Sequence, residues 1–169
     1  LEDAGPLREA TRDALLETQG RVLREWSYRV ARPLLLVEDR VPTSSPDGVP
    51  DDYKLFVFDG RVRMLQHDRG RYGLHQRDMR GPDWSPLPFR LGPFPTCGDV
   101  PAPDVLPALV RAAEAIAGDL DFLRVDLYAE DGRVFFGEVA AYPDSGLMRF
   151  SSRAADLEVG SWWRLPSTA

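Results

Sequence analysis

The sequence predicts an α+β domain in which an antiparallel sheet is flanked by helices. Three observations carry that prediction. Residues 53–58 and 61–66 form a hairpin around Asp59-Gly60, a two-residue turn signal. Residues 122–140 read FLRVDLYAEDGRVFFGEVA, a second pair of alternating strands around Glu130-Asp131-Gly132. Between the two hairpins lies one amphipathic helical segment, so strands pair locally and helices are few.

In chain order, residues 6–26 have helical spacing. Pro6 suits a first turn, and Leu7, Ala10, Ala14, Leu15, Val22, Leu23 and Trp26 recur on one side, with Gly20 weakening the middle. Residues 1–30 are accordingly read as an N-terminal helical segment and 31–169 as the main domain. Leu34 to Val37, after Pro33, form a short apolar run expected as a buried strand, and residues 43–48 form a turn cluster. The first hairpin follows. Residues 70–103 are the least regular, with seven prolines between Pro82 and Pro103. Asp104 is placed to cap a helix that runs to Ala117 and ends at Gly118, burying Leu109, Val110, Ala113, Ile116 and Ala117. Residues 141–169 read mostly as loop, closing on Trp162-Trp163. Tyr53, Phe56, Phe58 and the terminal tryptophans are expected in the core.

Composition bounds the function. The chain has 169 residues, 43% hydrophobic and 10% aromatic, and a formal net charge of −6 without a basic run, which speaks against nucleic acid as a partner. No apolar stretch reaches membrane-spanning length and no signal peptide opens the chain, so the expected location is the cytoplasm. Cys97 is the single cysteine and can form no internal disulfide; His67 and His75 have no zinc-ligand spacing with it.

The second hairpin holds the chemistry. A three-residue loop with Gly132 at the left-handed position sets Asp126 opposite Phe136 and Arg124 opposite Glu138. Leu123, Val125, Leu127, Phe135 and Val139 then form an apolar face, and Arg124, Asp126, Tyr128, Phe136 and Glu138 the other. In that register Asp126 and Glu138 are diagonal neighbours roughly 7–8 Å apart, within reach of one hard cation. A two-residue loop would place Asp126 among Phe135 and Val139, where an ion is poorly solvated. The same residues also suit an ordinary exposed strand face with an Arg124–Glu138 ion pair.

Several segments, in order, resemble the TupA-like branch of the ATP-grasp ligases: REWSYRVARPLLLVEDRV (24–41), DDYKLFVFDGRVRMLQHDR (51–69), RDMRGPDW (77–84), FLRVDLY (122–128), VFFGEV (134–139), YPDSG (142–146) and DLEVG (156–160). The resemblance implies an ATP-grasp-like nucleotide- and metal-binding subdomain over 31–169. It implies an enzyme that uses ATP and magnesium to activate a carboxylate as an acyl phosphate, which an amine then attacks in peptide or cell-surface polymer biosynthesis. Asp126 and Glu138 match the acidic metal ligands, and Arg124 an arginine that contacts the acyl phosphate. Glu38, Arg40 and Val41 resemble the hinge that reads adenine, Asp52 the ribose-binding acid, and Lys54 and Arg69 phosphate-binding positions. Ser145-Gly146 lies where the acceptor side is lined.

The expected partners are a small-molecule or peptide carboxylate and an amine. A first ATP-grasp subdomain with its own phosphate-binding lysine is expected upstream of Leu1. Where the family places Asn or Thr two residues after the metal-binding Glu, this chain has Ala140. A rival reading is therefore a catalytically reduced relative kept as a nucleotide-sensing or protein-binding module. A third is a structural partner acting through the proline-rich loop.

Overall fold

A computed structural model of the chain describes residues 48–165 continuously, together with residues 36–46 and Gly5, Pro6, Glu9, Thr11, Arg12 and Leu34. The chain divides into two compact units, Leu1–Arg40 and Val41–Ala169. In the first, Gly5, Pro6, Glu9, Thr11 and Arg12 are helical. The remainder of the helix expected over 6–26 lies outside the described residues. Leu34, Leu36 and Val37 belong to no strand and are 65%, 84% and 60% exposed, which corrects the expectation of a buried strand. An apolar run becomes a strand only where a neighbouring edge pairs with it.

The second unit is built on one antiparallel sheet of β1 (Asp52–Phe58), β2 (Arg61–Arg69), β3 (Gln76–Arg80), β4 (Phe122–Glu130) and β5 (Arg133–Ala140), in the order β3-β2-β1-β4-β5. Helix α1 (Leu106–Ala117) precedes β4, and α2 (Arg153–Ser161) follows β5 after a single 3₁₀ turn over Pro143–Gly146. The α+β antiparallel architecture is the one expected. Among the described residues no helix is long and apolar enough to cross a membrane.

Three local expectations differ. Asp104 does not cap α1: the N-cap is Val105, without a side-chain bond. Pro107 in the first turn lacks an N–H, while Leu106 N–H donates to the Pro103 carbonyl at 2.9 Å, so fewer orphan donors need a cap. Strand β3, QRDMR, has no apolar alternation to announce it, because three of its four buried positions, Arg77, Asp78 and Arg80, are charged and paired. Helix α2 was hidden by its weak apolar stripe. Its signal is Ser152, whose hydroxyl accepts the Ala155 N–H at 3.2 Å.

The two sheet faces are unlike. On one, Leu55, Val57, Leu65, Leu123, Val125 and Leu127 pack against Leu106, Leu109, Ala113 and Ala117 of α1; Ile116, expected inside, is 41% exposed. The other face is split. One end is apolar, where Phe56, Phe58, Met64 and Met79 meet Phe89, Leu91 and α2 through Ala155 and Val159. At the other end stand Asp52, Lys54, Asp68, Arg77, Arg124 and Asp126, all buried.

Candidate functional site

The β4–β5 hairpin turns on two residues, not three. Glu130 pairs with Arg133 across Asp131-Gly132, with φ of 50° and 71°, the positive pair a tight hairpin needs. Without correction that register would send Glu138 to the opposite face from Asp126. A β-bulge intervenes: Leu127 pairs with Phe136 but Asp126 pairs with Glu138, leaving Gly137 as the extra residue. Glycine is required there, since a Cβ would sit 2.9 Å from the Asp126 carbonyl oxygen and 3.0 Å from the Tyr128 ring. Asp126 and Glu138 thus share a face as direct partners, not as diagonal neighbours. Phe135 and Phe136 exchange the faces expected of them, because the bulge comes after both.

Sheet register then draws a row of polar groups across the strands. Lys54 lies opposite both Gln66 and Asp126, and Asp126 opposite Glu138. Lys54 Nζ is 2.5 Å from Asp126 Oδ2 and 2.7 Å from Asp52 Oδ2. Arg124 grips Asp126 with two bonds, Nε to Oδ1 at 2.7 Å and Nη2 to Oδ2 at 2.8 Å. The same Nη2 reaches Glu138 Oε1 at 3.2 Å, and Nη1 lies 3.9 Å from Asp144 Oδ2. Arg71 adds a cation to Asp52 at 3.2 Å. Next to this group, Asp68 is held by Arg77 through two bonds, Nε to Oδ1 at 2.6 Å and Nη2 to Oδ2 at 3.1 Å, and by Gln66 at 2.7 Å.

Burial sorts these groups. Asp126 is 1% exposed and Arg124 7%, so they stand inside the domain and not on the open outer face that the sequence suggested. Glu138, with a side chain 63% exposed, is the solvent-facing member. Burial, then repulsion from Asp126, raises the Glu138 carboxyl above its usual range. Burial also raises Asp52, with its Lys54 contacts opposing and Asp126 and Asp68 adding to the rise. Burial tends to lower the Arg124 guanidinium, but Asp126, Asp144 and Glu138 outweigh it and hold the charge in place. Two converging carboxylates, one facing water and destabilised by the other, are hard oxygen donors that fit a magnesium-class cation.

The structure thus brings together Asp52, Lys54, Arg124, Asp126 and Glu138. Arg69 is elsewhere: it projects from the opposite sheet face to Lys54, is partly exposed, and pairs with Asp51 at 3.1 Å. Glu38 and Arg40 belong to the other unit, where both are exposed and outside any strand, while Val41 is partly buried in this one. Two members went unnoticed in the sequence. Arg71 follows β2 in a turn that only the fold bends back to Asp52. Asp144 lies in the YPDSG segment beside Ser145, both with positive φ (48° and 57°), and this backbone brings its carboxylate toward Arg124.

Comparison with curated proteins and with solved structures gave no match. The family profile described as TupA-like ATPgrasp matches residues 13–163, which take in the whole sheet and both helices. ATP-grasp membership carries an ATP-dependent, ligase-type fold, and the family in general uses ATP and magnesium. The chain belongs to the TupA-like ATP-grasp family.

Proposed function

We propose that this chain is the nucleotide- and magnesium-binding part of a carboxylate–amine ligase that forms an amide through an acyl phosphate, in peptide or cell-surface polymer biosynthesis. The observation that carries the reading is the Lys54–Asp126–Glu138 row with Arg124 beside it, on one sheet face of an ATP-grasp chain.

Asp126 and Glu138 would hold magnesium, which when bound neutralises charge between the β- and γ-phosphates of ATP. A substrate carboxylate oxygen attacks the γ-phosphorus, the bond to the β-bridging oxygen breaks, and ADP leaves. The amine then attacks the acyl carbon, loses a proton, and expels phosphate. Arg124 would donate to the acyl phosphate oxygens, and Lys54 to the phosphates of the nucleotide. Both cations are held beside the proposed metal position by Asp126, and would exchange part of that contact for the phosphates. Asp144, 3.9 Å from Arg124 Nη1, is a carboxylate that could replace the oxygen missing at Ala140. Asp52 near the ribose completes the reading.

Ala140 favours a second reading, a catalytically reduced relative that binds nucleotide without turning it over.

Glu138→Gln is the discriminating variant, because its exposure spares the fold. Asp126→Asn is a poorer probe: it strips charge from two buried cations, a loss of about 3–5 kcal/mol for a buried pair. By calorimetry, Glu138→Gln is expected to weaken magnesium-dependent ATP binding at least tenfold with an unchanged unfolding midpoint, and Ala140→Asn to preserve or strengthen it. ATP binding that ignores Glu138→Gln would sink the assignment. Magnesium-dependent binding without ADP release, across a panel of carboxylates and amines, would favour the second reading.

A further inference from the structure

Three donors of another kind meet on the opposite face of the sheet from Lys54. His67 of β2 pairs directly with Asp78 of β3, and the proline-rich loop returns Cys97 to them. One ligand atom from each of His67, Asp78 and Cys97 lies within 4.8 Å of the other two. The loop is pinned in place: Cys97 N–H donates to Asp78 Oδ1 at 3.2 Å, and its Sγ lies 3.8 Å from the His67 carbonyl oxygen. Arg77 N–H donates to the Pro95 carbonyl at 2.8 Å.

The imidazole is prepared for a ligand. His67 is fully buried, stacked on Tyr53 with centroids 5.0 Å apart and flanked by Trp84 at 5.2 Å. Its Nε2 lies 2.9 Å from Asp51 Oδ2, so the Nε2–H donates to that carboxylate and the lone pair is on Nδ1. Nδ1 is buried and has no hydrogen-bond partner, a state that buried polar atoms avoid. It is also the ring nitrogen nearer the backbone, where Cys97 Sγ sits.

We propose that His67 Nδ1, the Asp78 carboxylate and Cys97 Sγ bind a thiophilic divalent transition metal of the zinc class, fastening the proline-rich loop to the outer strand. A mixed sulfur, nitrogen and oxygen donor set selects such a metal over magnesium. On binding, the Cys97 S–H bond breaks, its proton passes to water, and a sulfur–metal bond forms. Binding is therefore coupled to release of the Cys97 thiol proton. Water fills the fourth position. Metal bonds of about 2.0–2.3 Å put neighbouring tetrahedral donors roughly 3.3–3.8 Å apart, so the cluster closes by about 1 Å, chiefly through the loop carrying Cys97. Asp51 behind His67, and Arg80 Nη2 at 2.8 Å from Asp78 Oδ2, orient the ligands from behind. Sequence spacing could not reveal the trio, because two ligands come from paired strands and the third from a loop.

Cobalt titration of the full chain tests this without any enzymatic readout. One equivalent of Co²⁺ is expected to bind with a thiolate-to-cobalt charge-transfer band that Zn²⁺ abolishes, and Zn²⁺ to raise the unfolding temperature. Cys97→Ser, close to isosteric, should lose the band and the temperature shift, and weaken zinc at least tenfold against a chromophoric chelator. Glu138→Gln should change none of these, which separates this site from the magnesium reading. No charge-transfer band at excess Co²⁺, or zinc binding by Cys97→Ser equal to wild type, would overturn the proposal.

Discussion

Asp126 neutralises two buried cations at once, taking Lys54 on Oδ2 and both arms of the Arg124 fork. Asp68 does similar work one row away, and it offers a cleaner pH handle. Burial acts to raise its carboxyl, but the Arg77 bonds and charge, with Gln66 and His75, outweigh that and hold it below the usual 3.8. A lowered folded value means that Asp68 contributes stability above its unfolded value and loses it as pH falls through the folded one. Asp52 and Glu138 run the other way. Raised by burial, they contribute below their unfolded values, and that contribution fades as pH climbs through the folded ones. Comparing wild type with Asp68→Asn isolates the first effect. In urea unfolding, the stability gap is expected to stay constant above about pH 5 and to close below about pH 4. A gap that does not change with pH would show that the Asp68 charge is not what Arg77 holds.

At the scale of elements, both hairpins share one device: a two-residue Asp-Gly turn followed by Arg-Val, then a bulge farther down. In the first hairpin Arg63 is the extra residue, in the second Gly137. The turn type was legible at Asp59-Gly60 and misread by one residue at Glu130. Yet the conclusion that Asp126 and Glu138 share a face survives, because the bulge restores the parity that the shorter turn removes. Alternation reports which residues want the same face, but not which combination of turn and bulge satisfies them. Gly137→Ala would press a methyl onto the Asp126 carbonyl, and is expected to cost about 1–3 kcal/mol of unfolding free energy in urea denaturation. Gly160→Ala in α2 meets open space and should instead gain up to about 1 kcal/mol from helix propensity. Equal effects from the two substitutions would mean that the bulge is not sterically held.

Across the Val41–Ala169 unit, stability should be graded by position in the sheet. All seven residues of β1 are buried, and the strand is bonded to β2 on one side and β4 on the other. β5 is an edge strand, with Phe136 56% and Val139 47% exposed. Native-state hydrogen exchange is expected to find β1 amides opening only with global unfolding, and those on the free edge of β5 opening locally at lower cost. Comparable protection of the two strands would contradict that gradient.

Read alone, the sequence determined the α+β antiparallel class, both hairpins, the helix ending at Gly118 and the shared face of Arg124, Asp126 and Glu138. These depend on near-neighbour periodicity and turn chemistry, which a linear sequence states directly. Only the tertiary structure decided the rest. Strand β3 is built from charges that look like a loop until Asp68 is seen beside Arg77. Lys54 gains its Asp126 partner from β4, 72 residues away. Asp144 and Arg71 reach the same site through turns with no periodic signature, and Cys97 meets His67 and Asp78 across 30 and 19 residues. A buried ion is tolerable only beside its counterion, and those counterions come from strands adjacent in space but distant in the chain.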